Sequence, residues 1–193
     1  MELENLINKW NQMNYPVDIV LFFHEKGKYG CFSNYSRTPF TFNLPKYINS
    51  SNDYKRAIIC DFSEKAIILC KAALMNDIIT YNKLINVKSL QECKLLDKGI
   101  SNFKEIKWKR YLCDIAKEVT FQKFSQNSEI RKVLLSTKDA FIAKSSPYDE
   151  LWGIGMHIKD ERINIPNQWN GTNLLGWALM ETRSILHSKK FES

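Results

Sequence analysis

The sequence predicts a mainly α-helical α+β protein with a small antiparallel β-sheet near its N-terminus. Three observations carry this expectation. β-Branched and aromatic runs alternate with turn residues up to about residue 60, apolar helical patterns dominate from residue 63 onward, and no repeat or low-complexity tract interrupts them. With 193 residues, 44% hydrophobic and 25% charged, the chain can fill one good-sized core, so a single domain over 1–193 is expected.

Leu3, Leu6, Ile7, Trp10 and Met13 recur at helical spacing and predict a short amphipathic helix within residues 2–14. After Pro16 the run VDIVLFF reads as a strand ending in the turn HEKGKYG, and CFSNYSRTPFTFN carries the next strand signal. The polar stretch LPKYINSSNDYKR is a loop leading to a further strand, AIICDF. FSEKAIILCKAALM, residues 62–75, is apolar almost all round and predicts a largely buried helix with Asp61 or Ser63 as N-cap. A lysine-rich connection with weaker helical segments covers about 76–104. A long helix over about 105–126 then turns Trp108, Tyr111, Leu112, Ile115, Val119 and Phe124 inward. SEIRKVLLST gives a shorter helix with Ser128 as its cap. DAFIAKSSPYDELWGIG is a brief strand running into an irregular loop, residues 156–171 are mostly loop, and NLLGWALMETRSILHS forms a last helix.

The formal charge of +7 favours anionic partners such as phosphates, nucleotides or nucleic acid; a lysine-rich solvated surface explains it equally well. Five cysteines without a C-x-x-C pair disfavour a disulfide framework or a zinc site and fit a reducing compartment. The polar start MELENLINKWNQMN is no secretory signal, and no window reaches the ~18 apolar residues that a membrane span needs. A soluble cytoplasmic protein without a membrane partner is expected.

Within the apolar helix, Glu64 and Lys71 stand seven residues apart, which returns the chain to within roughly 20° of its starting direction. Both charges therefore share one stripe. A lone buried lysine is costly unless it has a task or a partner. A rise of about 10 Å along the axis is too long for a direct ion pair in most rotamers, so a shared ligand is the better reading. In SSPYDELWGIGMH, Asp149 can accept hydrogen bonds from sugar hydroxyls and Trp152 can stack on a ring, while Gly153 and Gly155 permit close approach of a ligand; a structural turn with Trp152 in the core and Asp149 as a cap is the alternative. In NQWNGTNLLGWALMETR, Asn173 and the helix start suit a phosphate or serve as an ordinary N-cap. FSNY at 32–35 offers Phe32 and Tyr35 either as a clamp for a base or ribose or as an aromatic strand edge. Walker, G-x-G-x-x-G and H-E-x-x-H motifs are absent, and only His157 of the three histidines falls within a punctuated motif.

Taken in order, FSNY, SEKAIILCKA, Trp108, KFSQN at 123–127, SPYDELWGIG and WNGTNLLGWALMETR resemble the YbiA-like, or NADAR, family over about residues 19–187. Glu64 and Lys71 match the charged ends of its E-H-Y-F-Q-A-x-K helix motif. Lys65, Ala66, Ile67 and Ile68 depart from it and are expected to alter the pocket wall, Lys144 replaces a frequent glutamate, and residues 45–57 look like an insertion. The resemblance implies a YbiA-like fold and an N-glycosidase that hydrolyses an ADP-ribose-type substrate, chiefly ADP-ribosylated guanine in nucleic acid or a nucleotide. It leaves two alternatives, a non-catalytic ADP-ribose or NAD-binding module and an N-glycosidase acting on riboflavin-biosynthesis intermediates. It further implies catalytic roles for Glu64, Lys71 and Asp149, and substrate contacts from Phe32, Ser33, Asn34, Trp108, Trp152, Gly153, Gly155 and Asn173. No metal, cofactor or obligate protein partner is implied. Glu64 is expected to act as base and charge stabiliser, and Lys71 as a partly neutral nucleophile able to form a Schiff base with opened ribose.

Overall fold

The computed structural model describes residues 2–188. The N-terminal apolar spacing forms α1 (Leu3–Asn11), which buries Leu6 and Trp10. β1 (Ile19–Phe22), a 3-10 turn at Gly30–Phe32, β2 (Phe40–Asn43) and β3 (Ala57–Cys60) follow. The helical part holds α2 (Ser63–Leu74), α3 (Ile78–Asn86), α4 (Leu90–Lys98), α5 (Glu105–Gln126) and α6 (Ser128–Leu135). After these come β4 (Phe141–Lys144) and α7 (Leu174–Ser188).

The predicted antiparallel pair is β2 with β3, in a register that sets Phe40 opposite Cys60 and Asn43 opposite Ala57. β1 does not join them. It pairs in parallel with β4, Ile19 opposite Phe141 and Phe22 opposite Lys144. Parallel strands need a long crossover, which here is the whole stretch from the 3-10 turn to α6. The second edge of β2 is closed by side chains. On α5, Gln122 accepts from Asn43 N at 2.7 Å and donates to its carbonyl at 3.0 Å, while Gln126, one turn on, does the same for Thr41 at 2.9 and 2.8 Å. Two glutamines four residues apart thus substitute for a third strand.

α2 packs against β3, α3, α4 and α5, in keeping with its apolar circumference. Two expected caps are corrected. Ser63 and Ser128 are the first residues of their helices, the capping positions belong to Phe62 and Asn127, and neither of these caps its helix with a side-chain bond. The lysine-rich connection forms two capped helices, α3 from Asp77 and α4 from Ser89.

The deeply buried lysines are Lys65 (2% exposed) and Lys123 (1%), not Lys71. Each is matched by backbone oxygen: Lys65 donates to the carbonyls of Ile59 and Ile85 at 3.1 and 2.9 Å, and Lys123 to those of Cys31 and Ser33 at 2.8 and 3.2 Å. Such bonds offset the desolvation that an isolated ammonium would suffer. Lys123 belongs to KFSQN, whose Gln126 holds Thr41 and whose Asn127 reaches the Pro39 carbonyl at 3.4 Å. One short motif on α5 therefore anchors the chain on both sides of FSNY.

Candidate active site

Glu64 lies in the first turn of α2, where its backbone N–H donates to the Asn34 carbonyl at 3.0 Å and so docks FSNY on the helix start. Its carboxyl forms no hydrogen bond or close ion pair among the described residues. Burial pushes its pKa up to about 7, and four nearby charges act on it in opposite directions: Lys94 and Lys144 lower it, Asp97 and Asp149 raise it. A carboxyl so poised exchanges its proton near neutral pH, which is what general acid–base chemistry requires.

Those four charges define the site. Asp97, on α4, accepts from Lys71 Nζ at 2.7 Å, and the same ammonium lies 4.8 Å from the Phe103 ring centre and 5.7 Å from that of Trp108. Lys144, at the end of β4, donates to Asp149 Oδ2 at 2.5 Å. Asp149 Oδ1 also accepts from Trp152 N at 2.9 Å, the local cap that the sequence left open. The Tyr35 ring lies against two cations, 4.1 Å from Lys94 Nζ and 5.7 Å from Lys144 Nζ. Next to it Asn34 is 6% exposed, and its side-chain amide has no partner among the described residues. Trp152 is half-buried and packs against three of the apolar clusters.

The structure thus brings Glu64, Lys71, Asn34, Trp108 and Asp149 around the contact of α2, α4 and the loop after β4. Other expected contacts are corrected. Phe32 is 1% exposed and is held edge-on by Phe22, stacked by Tyr29 and packed on Phe124, so it is core. Ser33 is buried and spends its hydroxyl on Tyr35 N at 3.2 Å. Asn173 is 0% exposed. It takes the left-handed conformation (φ 50°), accepts from Lys144 N at 3.2 Å and donates to the Ile142 carbonyl at 2.9 Å. It fastens α7 to β4 and leaves nothing for a phosphate. The close approaches at Gly153 and Gly155 are to the chain itself: an added Cβ would lie 2.8 Å from the Asp149 and Lys144 carbonyls and 2.9 Å from Asn170 Cβ.

Lys94, Asp97 and Lys144 were missed as site residues. Tyr35 was in view within FSNY, but nothing in the local pattern of α4 marks Asp97. Lys65, Ala66, Ile67 and Ile68 are all buried. Among the described residues no three His, Cys, Asp or Glu side chains gather to hold a metal ion, and no helix is long and apolar enough to cross a membrane.

With this geometry in place, the NADAR domain model matches residues 21–187. The chain is 32% identical over 169 residues to an N-glycosidase of Acanthamoeba polyphaga mimivirus, covering 86% of this chain and 95% of that protein. It is 27% identical over 162 residues to protein irg-1 of Caenorhabditis elegans, covering 82% and 76%. The solved structure of the Escherichia coli protein YbiA superposes with a TM-score of 0.69 at 22% identity, covering 94% of this chain and 92% of that one, and so shares its fold.

Proposed function

Because the chain belongs to the NADAR domain family, we propose that it is an N-glycosidase acting on an ADP-ribose-type nucleotide substrate, with ADP-ribosylated guanine as the favoured form. The observation that carries this reading is the unpaired Glu64 carboxyl, held near neutrality beside the Lys71–Asp97 pair. In the reaction the C1′–N bond breaks, the leaving base takes up the bonding electrons and a proton, and positive charge develops on the sugar. Ionised Glu64 stabilises that charge and removes a proton from the attacking group. Lys71 is that attacking group: as Glu64 takes its proton, the amine nitrogen bonds to C1′ while the base departs. The C1′–O4′ bond then breaks with a proton going to O4′, and water hydrolyses the resulting imine to release the ribose aldehyde and restore the amine. Asp149 orients sugar hydroxyls, Asn34 offers its free amide, and Trp108 and Trp152 bound the ring.

A catalytic role is favoured over a silent binding module because the motif departures at 65–68 lie in the core. The reading treats the chain as one domain, since Trp152 packs against three of the four apolar clusters, and the five free cysteines support a cytoplasmic setting. The test is product analysis on an oligonucleotide carrying ADP-ribosylated guanine. Free ADP-ribose is expected; no release there, with release of base from a phosphoribosylated aminopyrimidine, assigns the substrate elsewhere.

A further inference from the structure

We propose that the cavity beyond the carboxyl ends of β1 and β4 is a second subsite, which takes a planar aromatic base together with its phosphate. Naming this group as the nucleoside monophosphate end of the substrate rests on the N-glycosidase reading; the binding chemistry does not.

The cavity measures about 490 Å³, within the range of small-molecule sites, and lies in the crevice where ligands of parallel strands characteristically sit. Its wall includes Phe23, Tyr29 and Tyr148, and Tyr148 is 95% exposed at the tip of its loop. A bare ring with no packing role offers a face for stacking at little conformational cost. The charge of the wall has one sign. Lys26 and Lys28 line it with His24 and His157, and no carboxylate does. Both histidines use Nδ1 as an acceptor, from Lys26 N at 3.1 Å and Lys159 N at 3.2 Å, so in the neutral rings Nε2 carries the proton and is a donor. Rings, cations and imidazole N–H donors together fit a heteroaromatic phosphate better than an uncharged apolar group.

The cavity shares a loop with the Glu64 site. Ser145, Pro147 and Tyr148 line it, and their loop is closed at its base by the Lys144–Asp149 pair, whose charges act on Glu64. One loop therefore borders both regions.

Titration calorimetry of the full chain with adenosine monophosphate, adenosine and ribose 5-phosphate tests this. The monophosphate is expected to bind more tightly than either fragment. Tyr148→Ala and Lys28→Glu should each weaken it about tenfold, the scale of one lost stack or charge contact, while Glu64→Gln leaves it unchanged. On a substrate carrying the nucleotide end, Tyr148→Ala should raise KM and spare kcat. No binding of the monophosphate, binding indifferent to Tyr148→Ala and Lys28→Glu, or binding weakened by Glu64→Gln would each overturn the subsite without touching the glycosidase reading. Intact monophosphate binding in a protein that turns over no N-glycoside would overturn the glycosidase reading alone.

Discussion

Lys71 Nζ lies 2.7 Å from Asp97 Oδ1, and this ion pair fastens the last turn of α2 to α4 beside the Glu64 carboxyl. The pair explains why a lysine stands on an otherwise apolar helix, and it limits what Lys71 does chemically until a substrate competes for it.

Lys71→Arg separates the two roles. Arginine keeps a cation opposite Asp97 but forms no imine. The variant is expected to melt within a few degrees of the native protein and to lose turnover. Borohydride added during turnover should leave a reduced sugar adduct on Lys71 by mass spectrometry. Full activity in Lys71→Arg would reduce Lys71 to an electrostatic element.

The Glu64 carboxyl, raised from 4.5 to about 7 by burial, has a defined pH signature. Between those values the folded state holds a proton that the unfolded state has lost, so stability falls as pH rises and the loss is complete above about 7. Glu64→Gln, which is always neutral, should gain on the native protein across this window, by about 2–3 kcal/mol in urea unfolding at pH 8. An equal difference at pH 4 and pH 8 contradicts the burial.

Lys123 gives the opposite slope. Burial lowers its pKa from 10.5 to about 8, so between these values the unfolded chain holds the extra proton and stability rises with pH. Relative to Lys123→Met, the native protein should gain about 2–3 kcal/mol from pH 8 to pH 10.5. The variant should also show faster amide exchange at residues 31–35, whose carbonyls Lys123 holds.

Asn173→Ala is a structural lesion. It removes two buried hydrogen bonds and places alanine at φ 50°, so unfolding should become easier by about 2–4 kcal/mol. Folded variant at low temperature should bind ligand with native affinity. A selective loss of affinity with unchanged stability would restore the phosphate role expected from the sequence.

What the sequence made legible follows from range. α2, α5, α6 and α7 were readable because their apolar residues recur within one helix, and the Glu64–Lys71 stripe is a property of that same local repeat. β1 and β4, by contrast, meet across more than a hundred residues, and no local pattern tells a strand to pair in parallel with so distant a partner. Asn173 looked like a ligand because it sits at a helix start after a glycine. Its occupation by Ile142 and Lys144 depends on where α7 crosses β4. Asp97 was hidden for the same reason: one of three acidic residues in the lysine-rich stretch 76–104, it becomes meaningful only when α4 lies against α2.

The most direct test of the central claim is release of free ADP-ribose from an oligonucleotide carrying ADP-ribosylated guanine, measured for the native protein and for Glu64→Gln. The native rate should fall as pH drops through about 7, and Glu64→Gln should lose about 10²–10⁴-fold while still binding ADP-ribose. Native-like release by Glu64→Gln, with the same pH profile, would show that the buried carboxyl is not the group that performs the chemistry.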